Sequence, residues 1–174
     1  MQTTVYSPTD EMALMSRLWS PAIKDDPLAF VLYTFPWGVQ GTPLANFTGP
    51  RKWQREVLIE LRDHIKQNNG KVDFDTLRLA TSSGRGIGKS ALVSWLTIWM
   101  LSTRIGSTTI ISANSESQLR SVTWAEITKW LAMSLNSHWF EVSDDDGSYS
   151  HWPPDRAKYA SAGYRPSEGR SQEK

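Results

Sequence analysis

Read for the spacing of its apolar side chains, the chain divides into helical stretches separated by short extended runs. Ser7 ahead of Pro8 is an N-cap with proline in the first turn, and Met12, Met15 and Trp19 follow at helical spacing until Pro21. Asp26 and Pro27 repeat the signal before Leu28, Phe30, Val31 and Leu32, which predicts a short apolar helix ending near Pro36. Residues Trp37 to Gly49, rich in glycine, read as a loop. Pro50 then opens a longer helix whose stripe is Trp53, Val57, Leu58, Leu61 and Ile65, with Asn69 and Gly70 as its stop.

The pattern changes after this helix. Asp75 to Ser82 (DTLRLATS) predicts a short strand through Leu77 and Leu79, and a glycine-rich segment follows at once. From Lys89 to about Thr103 the chain is apolar on almost every side, as a buried helix would be. Thr108 to Ser112 (TTIIS) is β-branched and predicts a buried parallel strand. Ser115 and Gln118 form a capping box ahead of a helix through Ile127, Trp130 and Leu131. Strand, helix, strand, helix is the alternation of an α/β protein with a parallel sheet. Beyond Ser137 the periodicity fades: HWFEVS reads as a strand, SDDDGSYSHWPPD as turns, and no repeat is present.

Composition narrows the class. With 174 residues, 39% hydrophobic and 21% charged, the chain can bury a sizeable core, which excludes a disordered or fibrous protein. The net charge of +1, with both signs interspersed, announces no extended basic surface for nucleic acid. Having no cysteine excludes a disulfide framework and a cysteine zinc site, and His64, His138 and His151 are too scattered for clustered metal ligands. The N-terminus lacks a signal-peptide pattern, and the longest apolar stretch, Ala91 to Leu101, falls well short of the ~20 residues that span a bilayer.

The candidate chemistry lies in Ser83, Gly84, Arg85, Gly86, Ile87, Gly88, Lys89 and Ser90, which match the phosphate-loop pattern GxxxxGK[S/T] at the last three positions, with serine in place of the first glycine. Backbone N–H groups that converge on an anion need unusual backbone angles, and glycines at 84, 86 and 88 adopt them at little steric cost. Lys89 would place its ammonium on the β and γ phosphates, while Ser90, first in the helix, would hold Mg²⁺ through its hydroxyl. The plain alternative is a turn that only caps the helix. An acidic strand end to order the Mg²⁺ and the attacking water is missing, since no run of four apolar residues ends in Asp or Glu. Asp144, Asp145 and Asp146 have the neighbours of turn residues.

Three blocks together resemble a known family. PRKWQREVL (Pro50 to Leu58), SSGRGIGKSALVSWL (Ser82 to Leu96) and TTIISANSESQLRSVTWAEI (Thr108 to Ile127), with DPLAFVLYTFPWG upstream, are similar to the N-terminal ATPase domain of terminase large subunits of tailed bacteriophages. The resemblance spans roughly residues 26 to 127. It implies an incomplete P-loop NTPase fold of RecA-like type, a parallel sheet with flanking helices, preceded by an N-terminal helical segment. Residues 1–49 would be a helical extension or lid, and 50–174 the partial ATPase domain, irregular from about residue 138.

The resemblance further implies ATP and Mg²⁺ as cofactors. Gln54, with Trp53 beside it, would meet the adenine; Ser83 to Ala91 would hold phosphates, with Lys89 and Arg85 acting on the transferred phosphate. Double-stranded DNA, a portal protein, the small terminase subunit and a homo-oligomeric ring in the host-cell cytoplasm are the implied partners and setting. Family members continue into an acidic Walker B strand and a nuclease domain, so the chain is expected to be a truncated or partial one.

Alternatives stand beside these roles. Gln54 and Trp53 suit an ordinary surface helix, Arg85 a solvated loop, and Arg104, Arg120 and Lys129 either solvated charge or contacts to DNA or a neighbour's nucleotide. Trp95 and Trp99, two of nine tryptophans, suit core packing better than a base-stacking platform. A helicase-like ATPase, or a nucleotide-binding module without catalysis, would share the same loop.

Overall fold

The computed structural model describes residues 7–69, 71, 75–82, 84–142, 149–151 and 161–162. Helix α1 (Pro8–Leu18) begins at Ser7, whose hydroxyl accepts from the Asp10 amide while the Asp10 carboxylate accepts from Ser7 N–H, a reciprocal cap. Its buried face is Leu14 and Leu18, and Met12 stays exposed. Pro21, read from sequence as a stop, instead opens a second short helix, α2 (Pro21–Lys24), because proline at the first helical position gives up no needed donor. Helix α3 (Pro27–Thr34) is capped by Asp26, which accepts from the Ala29 amide at 3.0 Å.

Helix α4 (Lys52–Asn68) and helix α5 (Lys89–Thr103) flank the glycine-rich segment. A third long helical run starts at Ser115, whose hydroxyl accepts from the Gln118 amide at 3.2 Å. It passes from α6 (Glu116–Gln118) through a π-helical turn at Leu119–Trp124 into α7 (Ala125–Met133). A 3₁₀ turn, Ser137–Trp139, leads into β1 (Phe140–Val142), which pairs antiparallel with β2 (Tyr149–His151), and β2 with β3 (Ser161–Ala162).

The expected parallel α/β sheet is absent among the described residues. Residues 75–82 carry no strand ladder and are exposed apart from a half-buried Leu77. Leu79 is 41% accessible. Residues 108–112 likewise form no strand beyond an isolated bridge at Thr108, and Ile110 is 81% accessible where a buried strand was expected. A strand is stabilised by a partner's ladder and by packing on its faces, and β-branched composition supplies neither. Among the described residues the architecture is helical, with one small antiparallel sheet of residues 140–142, 149–151 and 161–162. Asp144 to Asp146 lie outside the described residues.

Helix α5 is the hub of the core. Ala91, Leu92, Trp95, Ile98, Trp99 and Leu101 are buried, and the helix packs chiefly against α7 and α3. Trp95 and Trp130 meet edge to face at 5.0 Å, and Phe35 meets Trp130 at 5.1 Å, distances at which aromatic pairs add attraction to area burial. Both Trp95 and Trp99 are core residues, as the apolar periodicity predicted. The helices before residue 50 share this core. Trp99 donates its indole N–H to the Lys24 carbonyl at 3.0 Å, Trp19 donates to the Ser102 carbonyl at 3.0 Å, and Arg104 pairs with Asp25 at 3.0 Å. From the other end, Glu11 on α1 accepts from Trp139 Nε1 and meets His138 Nε2 at 2.8 Å. No helix among the described residues is long and apolar enough to cross a membrane.

Candidate phosphate-binding loop

The loop between residue 84 and α5 follows from its glycines. Gly86 has φ 74° and Gly88 φ 90°, left-handed angles that side-chain-bearing residues rarely adopt. Gly88 is also the N-cap of α5, so the first turn of a 15-residue helix opens directly onto the loop. The leading amides of such a helix have no intrahelical acceptor and carry the positive end of its dipole.

Three side chains from the start of α4 take the loop carbonyls in succession. Arg51 Nη1 donates to Gly86 O at 3.3 Å, Trp53 Nε1 to Ile87 O at 3.2 Å, and Gln54 Nε2 to Gly88 O at 2.8 Å. These bonds differ in weight. Arg51 is exposed, so its bond competes with water, whereas Gln54 is only 2% accessible and shares the Gly88 carbonyl with the Leu92 amide, which donates to it at 3.2 Å.

That arrangement fixes where the loop amides face. All peptide bonds here are trans, and in a trans peptide the C=O of one residue and the N–H of the next point in opposite directions. With the carbonyls of Gly86, Ile87 and Gly88 turned to α4, the N–H groups of Ile87, Gly88 and Lys89 turn away from it. Consecutive backbone donors on one side of a loop at a helix N-terminus are an arrangement in which anions are commonly bound.

Lys89 completes the loop by reaching back over it, its ammonium donating to Gly84 O at 3.1 Å. From Thr76 to Ser115 the chain carries Arg78, Arg85, Lys89 and Arg104 and no carboxylate, and of these Arg104, at the far end of α5, is paired with Asp25. Arg85 is exposed at the loop's outer turn, and Ala91 is buried one turn into the helix. Ser83 lies outside the described residues. Ser90 sits in the first turn of α5, half-buried, with its carbonyl accepting from Ser94 Oγ at 2.8 Å.

Gln54 takes an unexpected position. Its Oε1 accepts from the Arg51 amide at 2.9 Å while its Nε2 holds Gly88 O, so both ends of the carboxamide are bonded within the protein. A cleft of about 290 Å³ opens beside the loop between Phe47, Arg51, Gly86, Gly88 and Trp130. Arg120 pairs with Glu116 at 3.0 Å, and Lys129 with Glu126 at 3.3 Å.

Ser90 is the single hydroxyl that the first helical turn offers to Mg²⁺, and no group of three acidic or histidine side chains among the described residues could hold a metal ion. This donor set fits an ion delivered with phosphate oxygens and water, the usual mode for Mg²⁺, and not an all-protein cage. Comparisons with protein-family models, with curated proteins and with solved structures find no match.

Proposed function

We propose that Gly84–Ser90 binds the phosphates of a nucleoside triphosphate, and that the chain is the nucleotide-binding portion of a DNA-packaging ATPase of the terminase kind. The observation that carries the reading is the turning of three successive loop carbonyls toward α4, which leaves the amides of Ile87, Gly88 and Lys89 on the opposite side. Backbone donors held in place before the ligand arrives bind it without an ordering cost. Lys89 adds a positive charge that exchanges the Gly84 carbonyl for phosphate oxygens, and Ser90 contributes its hydroxyl to a phosphate-borne Mg²⁺.

In this reading Arg85 reaches from the outer turn toward charge developing on the γ phosphate, and hydrolysis in an assembled ring moves double-stranded DNA through a portal with the small subunit's help. The isolated chain binds ATP and ADP and turns ATP over very slowly, because no run of four apolar residues in the sequence ends in an acid that would order the water.

The reading is tested by titrating the chain with ATP, ADP and AMP in Mg²⁺, alongside Lys89→Ala. ATP and ADP bind and AMP does not, and Lys89→Ala weakens ATP by roughly ten- to a hundredfold, the weight of one charge-assisted contact. Equal binding of AMP and ATP, or unchanged affinity in Lys89→Ala, overturns it.

A further inference from the structure

Resting on that phosphate reading, we infer that Gln54 is a positioning residue of the loop and not a reader of the base, so the affinity it contributes is common to every ligand with a polyphosphate chain. Reading an adenine edge with a carboxamide takes an N–H donor and a carbonyl acceptor presented side by side to the ligand. Gln54 borders the cleft beside the loop, but both ends of its carboxamide are already bonded within the protein. Its oxygen is committed to the Arg51 amide at 2.9 Å, its nitrogen to the Gly88 carbonyl at 2.8 Å, and 2% of the residue reaches solvent.

The same two bonds give the side chain a different task. The Arg51 amide has no intrahelical acceptor at the head of α4, and Gln54, in the third helical position, satisfies it through Oε1 at 2.9 Å. The carboxamide is thereby locked in one orientation, with its N–H fixed on Gly88. Gly88 O, held by Gln54 at 2.8 Å and by the Leu92 amide at 3.2 Å, belongs to the peptide plane that carries the Lys89 N–H, so Gln54 adds a second hold on that plane from outside α5. The packing is tight, for a β-carbon at residue 88 would come within 2.7 Å of Gln54 Nε2. Glycine at 88 therefore serves both the left-handed angle and the approach of the carboxamide.

The test compares ATP, GTP and inorganic tripolyphosphate, each with Mg²⁺, on the wild-type chain and on Gln54→Met and Gln54→Glu. Gln54→Met keeps the length and removes both bonds. Gln54→Glu keeps the cap on Arg51 but sets a carboxylate oxygen against the Gly88 carbonyl, so it preserves the helix start should the first variant fold poorly. Both variants are expected to lose roughly tenfold in affinity, and by the same factor for all three ligands. In parallel, the amide proton of Lys89 moves downfield on adding tripolyphosphate to the wild type and moves less in Gln54→Glu, a signature that a general loss of packing would not confine to the loop.

A loss of ATP affinity with tripolyphosphate and GTP unaffected would overturn the inference and make Gln54 a base reader. Unchanged affinity for all three ligands would overturn it as well. Failure of the wild-type chain to bind tripolyphosphate at all would instead strike the phosphate reading on which it rests.

Discussion

A β-carbon placed on Gly88 would lie 2.7 Å from Nε2 of Gln54, a residue 34 positions earlier whose amide donates to the Gly88 carbonyl. The contact joins the head of α4 to the head of α5, and it makes residue 88 intolerant of a side chain on two grounds. The φ of 90° strains any L-residue, and the clash displaces a buried hydrogen bond. Gly88→Ala is expected to destabilise the chain by about 2–4 kcal/mol, from roughly 1–3 for the strained angle and a further fraction for the disturbed bond. Urea unfolding followed by tryptophan fluorescence measures it; a change below about 0.5 kcal/mol, the level of a neutral surface substitution, contradicts the geometry.

The extended segment after α5 yields the opposite expectation. A buried strand residue of isoleucine size would cost about 2–5 kcal/mol on truncation, but Ile110 is 81% accessible. Ile110→Ser is therefore expected to change stability by less than about 0.5 kcal/mol. A loss of several kcal/mol in the same unfolding experiment would show that Thr108 to Ser112 packs as the β-branched pattern first suggested.

Burial of a polar pair sets a third expectation. Asn136 has no accessible surface, and its Nδ2 donates to Ser102 Oγ at 2.8 Å, tying the segment after α7 to the end of α5. Asn136→Ala removes the donor and leaves a small void, at about 2 kcal/mol. Thermal unfolding of the variant should show a Tm several degrees lower, with ligand affinity at the loop unaltered.

What could be read from the chain alone was what local chemistry decides. Ser7, Asp26 and Ser115 cap helices because each side-chain oxygen meets an amide two or three residues on, and that spacing is visible in the sequence. The apolar run after Lys89 could only be a buried helix. The strand read in HWFEVS is present as Phe140–Val142, but those at residues 75–82 and 108–112 were misread for the complementary reason: TTIIS has the composition of a strand, but a ladder partner is supplied from elsewhere in the chain. Pro21 was ambiguous, since the same residue ends one helix and begins the next.

The site was legible in part. Gly84 to Ser90 announced a loop that could turn its amides on an anion, and Gly86 and Gly88 do hold left-handed angles. The burial of Gln54 was not legible, because its acceptor is a carbonyl 34 residues away and a polar residue beside an apolar stripe ordinarily faces water. Nor could the sequence show that Arg51 and Trp53 would take the adjacent carbonyls, since those contacts depend on how α4 and α5 meet.

The central claim is that the amides of Ile87, Gly88 and Lys89 receive phosphate oxygens. It is tested most directly by proton–nitrogen correlation spectra of the assigned backbone during titration with ATP and Mg²⁺. The account predicts large downfield proton shifts at these three residues, saturating together, with small changes along α1 and α7. Saturable binding whose shifts fall elsewhere and leave residues 87 to 89 unmoved would contradict it.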